Sequence, residues 1–137
     1  MNIALLAHDR KKELMIQFCI AYAGILGKHT ICATNTTGRL VAEATGLPIT
    51  LHLSCEHGGA QQIGARISYN EIDMVLFFDD PESSSHQDQE LIIRLCDQNN
   101  IPVATNVATA EMLIMGLARG DLDWRESVKP GSSPFIS

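Results

Sequence analysis

Basic charge is in short supply in this sequence. Ten Lys and Arg face sixteen Asp and Glu, for a formal net charge of −6. That balance argues against nucleic acid as a partner, because phosphate-backbone binding needs a basic surface. Any phosphate site must then be local, not part of a broad positive field. Long apolar runs are missing as well. None reaches the roughly 20 residues that span a bilayer, so no membrane is expected. The opening stretch MNIALLAHDRKK has an apolar segment too short for a secretory signal, and it precedes the basic residues. A cytoplasmic protein is expected. Cysteine is sparse: Cys19, Cys32, Cys55 and Cys96 include no CxxC pair. A disulfide framework or zinc knuckle is thereby disfavoured, and reduced, mostly buried thiols are expected. There is no internal repeat.

What is present is a single domain's worth of alternating pattern. The 137 residues suit one domain, residues 1–137, able to bury a core without disulfides or metal. Short apolar runs at 2–7, 29–33, 50–53, 73–78 and 102–105 read as strands. Amphipathic stretches at 11–26, 39–45, 60–68, 89–98 and 109–117 read as helices, the second stopped by Gly46. Five alternations predict an α/β fold: three layers, with a mostly parallel five-stranded sheet and helices on both faces. The stretch from Lys129, KPGSSPFIS, reads as a loose or docked terminus.

In such a sheet, ligands gather at the carboxyl ends of the strands. The segments following the five strands carry His8-Asp9 with Lys12, Thr34-Asn35-Thr36-Thr37-Gly38, Ser54-Cys55-Glu56-His57-Gly58-Gly59, Asp79-Asp80 with His86 and Asp88, and Thr105-Asn106. Three hydroxyls and free amides at a helix start suit a phosphate, with Lys12 adding a point charge. The same TNTTG run also serves as a helix cap at Thr37 and a turn. Ser54 with Gly58-Gly59 is open to the same two readings. Asp9, Asp80 and Asp88 fit bases or hydroxyl holders, and equally fit caps or turn residues. His86 could polarise a carbonyl or simply be solvated. His29 and His52 fall in or beside strands and read as structural.

The segments AHDRKK, ATNTTG, SCEHGGAQQIGA, IDMVLFFDDP, HQD and NIPVATNVATAE, in series, resemble the methylglyoxal synthase family from Asn2 to about Glu126. The resemblance implies a homohexamer that converts dihydroxyacetone phosphate to methylglyoxal and inorganic phosphate, with no metal or organic cofactor. Carried over by residue, it implies substrate binding by His8, Lys12, Thr34, Asn35, Thr36, Thr37, Ser54, Cys55 and Gly59. Catalytic roles fall to Asp9, Asp80, His86 and Asp88. Departures accompany it. Ala60 stands where the family has its catalytic aspartate, and Cys55 and Glu56 stand in place of glycine and proline. Asn35 replaces a glycine, the segment between Asp80 and Asp88 is one residue short, and the arginine some members carry near the C-terminus has no counterpart in the tail. A weakened enzyme is expected. The alternative is a catalytically degenerate homologue that binds phosphate or a phosphorylated metabolite in a regulatory role.

Overall fold

The structure, a computed structural model, describes residues 1–129. Its strands are β1 (Asn2–Ala7), β2 (Thr30–Ala33), β3 (Ile49–Leu51), β4 (Met74–Phe78) and β5 (Val103–Ala104). They form one sheet in the order β3-β2-β1-β4-β5, every pairing parallel. The helices are α1 (Lys12–Ala21), α2 (Ala23–Leu26), α3 (Asn35–Thr45), α4 (Gly59–Ser68), α5 (Gln87–Gln98) and α6 (Val107–Arg119). The three-layer α/β expectation is met.

Both faces of the central strands are buried, and that dictates their sequence. Ile3, Leu5 and Ala7 of β1 join Met74, Leu76 and Phe78 of β4 in one core, closed by Met15, Phe18, Val41, Ala110 and Ile114 from α1, α3 and α6. The alternate residues Ala4, Leu6, Val75 and Phe77 enter a second core with Ile63, Ile67, Ile92 and Cys96 from α4 and α5. A strand covered twice reads as a continuous apolar run, and NIALLA and MVLFF do. The free thiols of Cys19, Cys32 and Cys96 are buried as expected. Burial pushes those of Cys19 and Cys96 up to about 12. Among the described residues, no helix is long and apolar enough to cross a membrane.

Several boundaries depart from expectation. The stretch expected to be one helix over 11–26 opens with a short 3-10 turn, Asp9–Lys11, and divides at Tyr22. Helix α3 begins four residues before the expected start at 39, with Thr34 rather than Thr37 at its cap. The reason is tertiary. The Gly38 amide donates to the Thr34 carbonyl at 2.8 Å. Gly38 itself lies against Ala33 and Ile49, where a side chain would not fit. Contacts of this kind override the poor helix propensity of Asn-Thr-Thr-Gly. The last described segment contains a further 3-10 turn, Asp123–Val128, that pattern reading did not reveal. Lys129, read as the start of a loose or docked terminus, pairs through its ammonium with Asp73 at 2.8 Å. Residues 130–137 lie outside the described residues.

Candidate active site

After β1, β2 and β3 the chain makes the same local move. His8, Thr34 and Ser54 are each extended, with ψ of 153°, 155° and 159°, and each is followed at once by a helical turn. None of the three caps that turn with its own side chain. Their polar groups therefore remain available at the carboxyl edge of the sheet. The strand order reverses beside β1, with β2 on one side and β4 on the other. A crevice at that switch point is where a doubly wound sheet takes a ligand.

A cavity of about 400 Å³ opens there. Nine of the sequence candidates line it: His8, Asp9, Lys12, Thr34, Thr36, Ser54, Cys55, His86 and Asp88. The Lys12 side chain is only 18% exposed, and its ammonium donates to the Ala7 carbonyl at 2.8 Å and faces Asp9 at 3.3 Å. The Ser54 hydroxyl sits 3.0 Å from Nδ1 of His57. Burial raises the Cys55 thiol above its ordinary value, and the charge of Asp88 adds to this. Lys12 and the Thr34 hydroxyl pull the other way, while Asp9 again raises it. The thiol therefore stays neutral and lines the wall as a small polar group.

The five remaining candidates stand outside the cavity lining. The Asn35 side-chain oxygen, Oδ1, accepts from Arg39 Nε at 3.0 Å on the surface of α3. Thr37 is turned inward, and its hydroxyl is buried without a hydrogen-bond partner among the described residues. Gly59 has a packing role: a Cβ there would stand 2.8 Å from the Leu53 carbonyl carbon and 2.9 Å from the Ser54 carbonyl oxygen. It lets α4 start directly beneath the third loop, after Gly58 turns the chain at φ 96°. Ala60 is fully buried in the second core. Asp80 is buried behind the wall, its Oδ2 3.8 Å from both His8 Nδ1 and Arg10 Nε.

Asp79 was read as part of the fourth loop but not singled out. It lines the cavity, and its Oδ1 lies 3.3 Å from Nδ1 of His86. Consecutive residues at a strand end point to opposite sides. Asp79 and Asp80 accordingly face different histidines, His86 and His8. Each cavity histidine thus has a carboxylate near Nδ1: the one at His86 lies within hydrogen-bond distance and orients that ring, whereas Nδ1 of His8 is buried 3.8 Å from Asp80 without a hydrogen-bond partner among the described residues. Glu56 also lines the cavity, on a 3-10 turn, Cys55–His57, that joins β3 to α4.

The arrangement is an ammonium and hydroxyl donors on one side and two imidazoles near carboxylates, with further carboxylates, on the other. It can hold a small phosphate ester and move protons on its carbon skeleton. Residues 15–105 match the family model described as MGS-like domain. A methylglyoxal synthase from Caldicellulosiruptor saccharolyticus is 59% identical over 132 residues, which cover 95% of this chain and 94% of that protein. One from Oceanobacillus iheyensis is 52% identical over 131 residues, 94% of each. The crystal structure of methylglyoxal synthase from Elizabethkingia anophelis matches with a TM-score of 0.78 at 36% identity, over 98% of this chain and 79% of that one. The chain belongs to the methylglyoxal synthase family.

Proposed function

We propose that this chain is a lyase that converts dihydroxyacetone phosphate to methylglyoxal and inorganic phosphate. The observation that carries the proposal is the convergence of Lys12, three hydroxyls and two histidines, each near an aspartate, on one cavity at the switch point. Lys12 with Thr34, Thr36 and Ser54 grips the phosphate, which is also the leaving group. The amides at the start of α3 lie beside them and favour the same charge. His8 and His86 supply donors for the oxygen that becomes an enediolate, and preorganised donors are most effective where charge develops. Asp80 and Asp79 act as positioning residues for these two rings. Thr37, Asn35 and Gly59 shape the loops that present the grip.

A second reading is favoured by one observation. Ala60 has no group to move a proton and is sealed in the core. A degenerate homologue would keep the phosphate grip and lose the turnover. Incubating the protein with dihydroxyacetone phosphate and measuring methylglyoxal colorimetrically separates the two. The expected result is formation well above the uncatalysed background. Phosphate binding in a calorimetric titration without any enzymatic product would instead establish the binding module.

The cytoplasm as location and a homohexamer as assembly belong to the same proposal, and family membership supports them. Light scattering at micromolar concentration is expected to return about six times the 15.0 kDa subunit mass. A subunit mass would refute the assembly.

A further inference from the structure

We propose that Glu56 is the base that removes the carbon-bound proton of the substrate; this rests on the lyase reading above. Four carboxylates line the cavity: Asp9, Glu56, Asp79 and Asp88. Asp9 faces Lys12 from a largely exposed position at the rim, and Asp79 faces His86. Glu56 and Asp88 are left, and neither makes a hydrogen bond or ion pair among the described residues. The reaction has two protons to remove, one from carbon and one from a hydroxyl, so two uncommitted carboxylates match the need.

Their placement divides the work. Asp88 lies in the first turn of α5, two residues after His86, and lines the cavity beside that imidazole. Glu56 enters from the connection after β3, on the other side of β1. Its turn is rigid. The His57 amide donates to the Ser54 carbonyl at 2.9 Å, the Gly59 amide to the same carbonyl at 2.8 Å, and the His57 ring meets the Ser54 hydroxyl. The backbone at Glu56 is therefore held two residues from the Ser54 hydroxyl, and its side chain lines the cavity on that side. Ala60, four residues on, is buried and cannot compete.

The step balances as follows. Glu56 takes a proton from the carbon that bears the free hydroxyl. The C–H electron pair becomes a double bond to the central carbon, and the carbonyl becomes an enediolate oxygen. Asp88 takes the hydroxyl proton, that oxygen closes to an aldehyde, and the double bond moves to the third carbon. The C–O bond to phosphate breaks, and its electron pair leaves with the phosphate. The two captured protons return, one to the terminal carbon to make the methyl group and one to the phosphate.

The test compares Glu56→Gln, Glu56→Asp and Asp88→Asn with the unmodified protein. Glu56→Gln is expected to lower kcat by roughly 10²–10⁴-fold, the usual contribution of a positioned base. KM, phosphate affinity and melting temperature should stay close to those of the unmodified chain, since a neutral amide keeps the shape. Glu56→Asp should retain part of the rate. Its shorter reach should enlarge the isotope effect seen with substrate deuterated at the hydroxyl-bearing carbon. That last reading also serves if Glu56→Gln fails to fold. Asp88→Asn should slow turnover without enlarging that isotope effect. Glu56→Gln with near-normal kcat would overturn the assignment, as would an enlarged carbon isotope effect in Asp88→Asn alone. If the unmodified chain makes no methylglyoxal, the lyase reading itself fails and takes this assignment with it.

Discussion

Lys12→Met is expected to lower kcat/KM for dihydroxyacetone phosphate by about 10²–10³-fold, the effect typical of losing one preorganised donor to developing charge. The reasoning starts from the ammonium's three protons. One is held by the Ala7 carbonyl and a second faces Asp9, whose side chain is 87% exposed. The third remains for a ligand, and the Asp9 pairing is too solvated to compete strongly with a bound phosphate. With a net charge of −6, the protein offers little long-range attraction to an anion. A short-range cation must supply it. Methionine keeps the aliphatic stem in place, so loss of charge is separated from loss of packing. Inorganic phosphate affinity should fall by about 1.5–3 kcal/mol, the range for a hydrogen bond to a charged group. Arginine should not rescue fully, because its planar fork is wider than the point charge it replaces. Unchanged phosphate affinity in a calorimetric titration of Lys12→Met would place the anion elsewhere.

The sequence made this end of the molecule legible because strand ends can be located from apolar runs alone. NIALLA and MVLFF are buried on both faces, so the loops after them could be found and their polar residues collected. Nine of the fourteen candidates line the cavity for that reason. The rest needed coordinates. Thr36 and Thr37 are adjacent, yet the helix that begins at Asn35 turns one outward and the other into the core. A reading that started the helix at 39 could not separate them. Asp79 and Asp80 look equivalent in FFDDP, and only the strand's alternation assigns one to each histidine. Ala60 matched a family position by spacing, but spacing says nothing about burial. Arg125 was overlooked because a charged residue near the end of a chain is ordinarily solvated.

Arg125→Met is expected to destabilise the fold by about 3 kcal/mol, the lower end of the cost of breaking a buried ion pair. Arg125 is fully buried, and its guanidinium donates to Asp73 at 3.0 Å, to the Asn100 carbonyl at 3.0 Å, and to Asn70 and the Ile72 carbonyl. Asn70 and Asn100 both lie in the left-handed region, at φ 56° and 54°, which asparagine tolerates better than most residues. Each sits in a turn leading into the amino end of a strand, so one arginine ties the α4–β4 and α5–β5 turns together. Asp73 extends the tie to β1 by accepting from the Asn2 amide at 2.7 Å. The cost falls at the lower end because Asn2 and Lys129 still satisfy the Asp73 carboxylate when the arginine is gone. All of this lies at the opposite end of the sheet from the cavity. The variant should therefore melt roughly 10 °C lower, given a few degrees per kcal/mol for a domain of this size, with kcat at 25 °C unchanged. Acid should act through the same cluster. Burial alone would raise the Asp73 carboxyl, but Lys129, the Asn2 amide and Arg125 outweigh it and hold the group below its ordinary 3.8. A carboxylate depressed in the folded state contributes stability above its unfolded value and loses it as pH falls through the folded one. The unmodified protein should thus lose stability below about pH 4, and Asp73→Asn should flatten that part of the profile. An Arg125→Met protein that melts with the unmodified chain would show that these turns hold without the tie. A fall in kcat at 25 °C would show that the two ends of the sheet are coupled.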